Sequence, residues 1–146
     1  MIVIADTSGL LVALDSTHPE HQAADQAIFS AGLLVMSPLV LAELDHIATR
    51  ELGREAAISA ADDIRHWMRR GRVVVPEVTE DQLGVAQFVR AQYGGLDLDL
   101  ADAVNVALAS VYDTDVILTL DGRDFRAVRP LSRHKAFRIL PDDLPL

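Results

Sequence analysis

The sequence contains no cysteine, which excludes a disulfide framework and a thiolate metal site and leaves oxygen or imidazole to ligate any bound metal. That donor set favours magnesium or manganese over structural zinc. No apolar run approaches the ~20 residues needed to span a bilayer, and Asp6 and Asp15 arrive too early for the apolar core of a signal peptide. A cytoplasmic protein with no membrane partner is therefore expected. Internal repeats, low-complexity tracts and linkers are also missing. The 146 residues, 50% of them apolar, read as a single domain over 1–146 with a sizeable core.

What the chain does have is acid in apolar places. Seven carboxylates form four islands: Asp6 after Ile2-Val3-Ile4-Ala5; Glu43 within Leu39-Val40-Leu41-Ala42-Glu43-Leu44; Asp97, Asp99 and Asp102 within Asp97-Leu98-Asp99-Leu100-Ala101-Asp102; and Asp121 and Asp124 after Val116-Ile117-Leu118-Thr119-Leu120. An unpaired buried carboxylate costs several kcal/mol, so acids placed this way need a neutralising partner, and a divalent cation is the obvious one. The net charge of -9 argues at first sight against nucleic acid, whose phosphates call for a basic surface. The seven acids account for most of that charge, however, and the rest is nearly balanced. Positive charge is also uneven: Arg123, Arg126, Arg129, Arg133, Lys135 and Arg138 follow the last acidic island, and Arg65, Arg69, Arg70 and Arg72 form a second cluster. Solvated surface arginine is the plain alternative for both.

Short apolar strands alternate with helical patterns, the mark of an α/β fold with a mainly parallel central sheet. The pattern predicts strands near 2–5, 33–36, 73–75, 116–119 and 137–140, and helices near 8–14, 19–29, 38–52, 54–70, 80–93 and 100–111. Pro19 and Pro38 suit first-turn positions, Ser37 suits a cap, Thr79 with Gln82 makes a capping box, and Gly94-Gly95 marks a helix end. The segment Asp121-Gly122-Arg123-Asp124 reads as a polar turn pinned by Phe125.

In this layout Asp6 and Asp121 lie past the carboxyl ends of two strands, the edge where open parallel sheets build their sites. Each acid has a structural alternative. Asp6 with Thr7 and Ser8 can cap the first helix. Glu43 shares the apolar side of its helix with Leu39, Val40 and Ile47, so it either enters a site or snorkels to the rim. Asp99 suits an N-cap, and Asp102, in the first turn on the face of Asn105, is favoured by the helix dipole. Asp97 and Asp99 are outer-shell groups or ordinary loop polarity.

Together these segments resemble the PIN-domain nucleases, and among them the VapC toxins of bacterial toxin–antitoxin pairs. The resemblance runs through Val3-Ile4-Ala5-Asp6-Thr7-Ser8, Ser37-Pro38-Leu39-Val40-Leu41-Ala42-Glu43, Leu100-Ala101-Asp102-Ala103 and Thr119-Leu120-Asp121-Gly122-Arg123-Asp124-Phe125. Each motif alone is weak; their order and spacing are specific. The resemblance implies Asp6, Glu43, Asp102 and Asp121 as the catalytic acids around Mg²⁺ or Mn²⁺, Asp124 as an auxiliary acid, and Thr7, Ser8 and Thr119 as flanking hydroxyls. Asp97 and Asp99 depart from the pattern, leaving open an extra acid, for which Asp99 is the candidate. Also implied are metal-dependent cleavage of a structured cellular RNA, a cognate antitoxin whose apolar segment crosses the helices and blocks the acidic site, and a homodimer; the first four helices carry enough alanine, leucine and isoleucine for such a groove. Arg123, Arg126, Arg129 and Arg133 are the expected RNA-binding residues.

Two other readings compete. A catalytically silent PIN fold would bind RNA or a partner without turnover. A phosphoacceptor receiver domain also places acids at strand ends, but it needs a nearby lysine, and the sole one, Lys135, lies in the basic tail. The five histidines read as surface or capping residues. Glu43 with His46 has the Glu-x-x-His spacing of di-iron bundles, but no second such pair exists. Trp67, with Ala60, Ile64 and Met68, reads as core or interface packing.

Overall fold

The computed structural model describes residues 1–145. Five strands alternate with helices along the chain: β1 (Ile2–Ala5), α1 (Thr7–Leu14), α2 (His21–Ser30), β2 (Leu33–Val35), α3 (Pro38–Leu52), α4 (Arg54–Arg69), β3 (Val73–Val74), α5 (Glu80–Gln92), α6 (Leu100–Val111), β4 (Val116–Leu118), α7 (Gly122–Ala127) and β5 (Arg138–Leu140). The sheet has the order β3-β2-β1-β4-β5, and every pairing is parallel. The chain builds outward from β1 to β3 and then crosses to the other side of β1, so the switch of direction falls between β1 and β4.

Alternation along each strand divides the core. Val3, Ala5, Leu34, Val116, Leu118 and Leu140 face the layer of α1 to α4, whereas Ile4, Val35, Ile117 and Ile139 face α5 and α6. Both faces are covered, as a parallel sheet requires. Ser37 caps α3 through the amide of Leu39, with Pro38 in the first turn, and Thr79 and Gln82 form the expected capping box on α5. Gly53, at φ 99°, both ends α3 and starts α4, a left-handed conformation that glycine adopts without a Cβ penalty.

Three local expectations need correction. The second helix starts at His21 with Glu20 at its N-cap, so Pro19 stands ahead of the helix rather than in its first turn. Helix α5 does end directly ahead of Gly94-Gly95, but Tyr93 is its C-cap and neither glycine adopts positive φ, so they do not close it as a left-handed cap. The polar turn after β4 is instead the short helix α7. It is held by tertiary contacts: Phe125 is buried edge-on to Phe137, and a Cβ on Gly122 would meet Ile139 at 2.9 Å.

Candidate active site

Asp6 leaves the sheet at the switch point. Its amide donates to the carbonyl of Leu118, so the chain after β1 runs beside the chain after β4. Although it sits at the N-cap of α1, its side chain makes no capping bond. Oδ2 accepts from the Thr119 hydroxyl at 2.9 Å and Oδ1 from Asn105 Nδ2 at 3.3 Å. Capping therefore does not account for this side chain. Burial pushes its carboxyl above the ordinary range; the Thr119 hydroxyl and the Thr7 amide oppose the rise, and the charges of Glu43 and Asp99 add to it.

A line of hydroxyls joins Asp6 to the other strand end. Because Thr119 gives its proton to Asp6, its oxygen accepts from the Asp121 amide at 3.0 Å and from Ser8 Oγ at 3.0 Å. Ser8 in turn accepts from the Leu120 amide at 2.9 Å. Gly9 makes this approach possible, since a Cβ there would lie 2.7 Å from Leu118 Cγ and 3.0 Å from its carbonyl oxygen. Thr7, the third flanking hydroxyl, is buried with Oγ1 unpartnered.

The third acidic element is the start of α6. Asp99 Oδ1 caps the helix by accepting from the Asp102 amide at 2.8 Å, and Asp102 Oδ2 faces the Asp99 amide at 3.4 Å. The Asp102 carboxyl is pushed up to about 7, first by burial and then by the neighbouring charges of Asp99 and Asp6. Both acids thus have a capping role as well as a place in the charged cluster. Asp97 is exposed in the preceding loop.

Glu43, half-buried on α3, completes the group through its charge on Asp6. Its side chain accepts no hydrogen bond among the described residues, nor do the side chains of Asp121, exposed at the start of α7, and Asp124, half-buried one turn on. Asp6, Glu43, Asp99 and Asp102 therefore share one electrostatic neighbourhood, tied to Asp121 through Thr119. Among the described residues no three acids or histidines are arranged to enclose an ion. The donor set itself, carboxylates with hydroxyls and no sulfur, suits a hard divalent cation.

The arginines divide. Arg126 makes a two-point ion pair with Asp143 (2.9 and 3.3 Å), Arg133 pairs with Asp113 at 3.3 Å, and Arg138 grips the buried Asp115 at 2.7 and 3.0 Å. Arg123 and Arg129 are exposed, and neither side chain has an ion-pair partner among the described residues. The histidines make local contacts: His18 Nδ1 accepts from the Glu20 amide, His21 Nδ1 lies 3.0 Å from the Val12 carbonyl, and His134 lies between Asp113 and Asp115.

Carboxylates from four elements thus lie toward the switch point of a parallel sheet, and carboxylate oxygen is the donor that a hard divalent cation prefers. The PIN domain family model matches residues 3–130, and the chain belongs to the PIN-domain family. It is 34% identical over 140 residues to Ribonuclease VapC26 of Mycobacterium tuberculosis, covering 95% of this chain and all of that one. Among solved structures, its fold matches Mycobacterium tuberculosis VapC20, a Sarcin-Ricin loop cleaving toxin, with TM-score 0.71, 23% identity and coverage of 82% of this chain and 90% of the other. It also matches VapBC2 from Rickettsia felis bound to a promoter DNA fragment, with TM-score 0.67, 15% identity and coverage of 95% and 98%.

Proposed function

We propose that the chain is a Mg²⁺- or Mn²⁺-dependent endoribonuclease acting as the toxin of a toxin–antitoxin pair. The observation that carries this reading is the acidic cluster itself: Asp6 and Asp102 are kept close together at the switch point although burial and mutual charge raise both carboxyls. A fold tolerates that arrangement where a cation relieves it. Family membership and the ribonuclease relative name the reaction.

Asp6, Glu43, Asp102 and Asp121 would hold the ion, with Asp124 and Asp99 at the margin. A divalent ion held there would supply activation of water for in-line attack on phosphorus and charge to stabilise the leaving oxygen. The protein's own part is orientation. Thr119 and Asn105 fix Asp6, Asp99 fixes Asp102, and Ser8 braces Thr119. Arg123 and Arg129, without ion-pair partners among the described residues, would take RNA phosphates, which position the strand without reading its bases.

The antitoxin would lie on the face of α1, α2 and α4. Two neighbouring cavities there, of about 170 and 50 Å³, share Asp25, Ile28 and Trp67, and Phe29 beside them is 83% exposed. An amphipathic segment with apolar anchors and basic flanks would match that lining, since Asp25 and Asp63 border it. A second copy of the chain would cover α5, where Phe88 is 63% exposed beside Val85. Among the described residues no helix is long and apolar enough to cross a membrane, and a cytoplasmic site of action accords with an RNA target.

The test is sequencing of RNA ends after induced expression of the protein and of Glu43→Gln, with cleavage of the same RNA by purified protein in Mn²⁺. New ends that appear with the parent and vanish with Glu43→Gln are expected. RNA binding without new ends would instead make the chain a silent member of its family.

A further inference from the structure

We propose that Asn105 is a positioning residue of the acidic site: its carboxamide fixes the Asp6 carboxylate in the orientation that presents an oxygen to a divalent cation. The inference rests on the reading of the site given above. Asn105 is 0% exposed in the middle of α6, and the other residues from Ala103 to Ala109 are all buried and apolar. Packing alone gives no reason for an amide there. Asparagine is a poor helix former, and a buried carboxamide is unfavourable unless it is hydrogen-bonded.

Only half of this carboxamide is satisfied. Nδ2 donates to Asp6 Oδ1 at 3.3 Å, while Asn105 Oδ1 is buried with no partner among the described residues. A polar group kept in a core with an unmet acceptor calls for an explanation, and the met half supplies it. The neighbours explain why the residue is an amide. Asp102 lies three residues back on the same face, and Glu43 and Asp99 bear on the same carboxylate. An acid at 105 would set a further negative charge against Asp6, and an aliphatic residue would leave Oδ1 of Asp6 unheld. A neutral donor is what the position requires.

Asp6 is then gripped from two elements, by Thr119 on Oδ2 and Asn105 on Oδ1. Each carboxylate oxygen keeps acceptor capacity beyond the bond it has. Outer groups of this kind orient ligands, and their loss typically weakens metal binding about 10- to 100-fold.

The experiment compares Asn105→Leu, Asn105→Ala and Asn105→Ser in the full chain. Mn²⁺ binding is titrated by electron paramagnetic resonance after chelator treatment, and melting is followed in chelator. Leucine removes the unmet acceptor along with the donor, two changes that oppose each other in stability, so its metal-free melting temperature should change little while Mn²⁺ affinity falls about 10-fold or more. Should leucine fail to fold, alanine and serine decide the matter: serine, which keeps a donor, should bind Mn²⁺ more tightly than alanine. Unchanged affinity in leucine and alanine, or equal losses in alanine and serine, would overturn the role of Asn105 and leave the nuclease reading standing. A parent protein that binds no Mn²⁺, or binds it as well after Asp6→Asn, would overturn both.

Discussion

The acids of the site fall into a held half and a free half. Asp6 and Asp102 are bonded in place, by Thr119 and Asn105 in one case and by Asp99 in the other. The carboxylates of Glu43, Asp121 and Asp124 accept no hydrogen bond among the described residues. The held acids are those whose carboxyls are displaced upward, chiefly by burial. The lesson concerns where the cost of a metal site is met. On the proposed reading, two ligands would be ordered during folding, against their own desolvation and repulsion, while the others would stay solvated and lose freedom only on binding. The arginines repeat the division, with Arg126, Arg133 and Arg138 held and Arg123 and Arg129 without an ion-pair partner among the described residues.

Amide substitutions break this comparison most directly. Asp6→Asn, Glu43→Gln, Asp102→Asn and Asp121→Asn should each reduce RNA cleavage by roughly 10²-fold or more, as loss of a metal ligand or its charge does. The two halves should separate in stability. In Asp6→Asn, reversal of the Asn105 amide would let its unmet oxygen accept from the new side chain, so the metal-free protein should gain about 1 kcal/mol, or on the order of 3 °C. Asp121→Asn, at an exposed position, should leave melting unchanged. Equal effects of the two on melting in chelator would sink the division. Asp124→Asn should cost the least activity of the acids.

Proton linkage gives the next largest effect. The Asp102 carboxyl, ordinarily near 3.8, is pushed up to about 7 in the folded chain. An acid with a raised folded value favours folding while it is protonated, and that stability is lost as pH rises from about 4 to about 7. Metal-free protein should thus melt lower at pH 7.5 than at pH 5.5, and Asp102→Asn should flatten the difference. Bound Mn²⁺ opposes it, so the stabilisation by a fixed concentration should grow across the same window. A chelated sample whose melting temperature rises over that range would contradict the displacement.

Much of this was legible in the sequence. The strands showed because Val3 and Ala5 alternate with Ile4, and Ser37-Pro38 and Thr79 with Gln82 state their caps openly. Asp6 and Asp121 could be assigned to strand ends because the apolar runs before them are short and clear. The helix α7 was hidden: six residues beginning with glycine carry an ordinary turn signal, and what makes them helical is the fit of Phe125 and Gly122 against β5, which local preference does not encode. The tie from Asn105 to Asp6 had a readable signal, a lone amide in an apolar helix, but its partner lies 99 residues away. The ion partners of Arg126 and Arg133 are likewise remote in sequence, 17 and 20 residues off.

That last point gives the smallest and sharpest prediction. Density of positive charge suggested Arg123, Arg126, Arg129 and Arg133 together as the RNA-binding set, whereas the ion pairs suggest that only two are available. A guanidinium already paired with a carboxylate releases little on meeting a phosphate, because the internal pair must first be given up. In a Glu43→Gln background, Arg123→Gln and Arg129→Gln should each lower the slope of log affinity against log salt for single-stranded RNA by about 0.7. Arg126→Gln should leave the slope unchanged and instead lower stability by up to about 1 kcal/mol, since Asp143, which also accepts from the Ile139 amide at 2.7 Å, loses its partner. Arg126 holds the Asp143 carboxyl below its ordinary range, so the stability from this pair is present above about pH 4 and fades as acid protonates Asp143. If Arg126→Gln flattened the salt dependence as much as Arg123→Gln, the internal pair would be no barrier to RNA, and the division between held and free charge would fail for the arginines while standing for the acids.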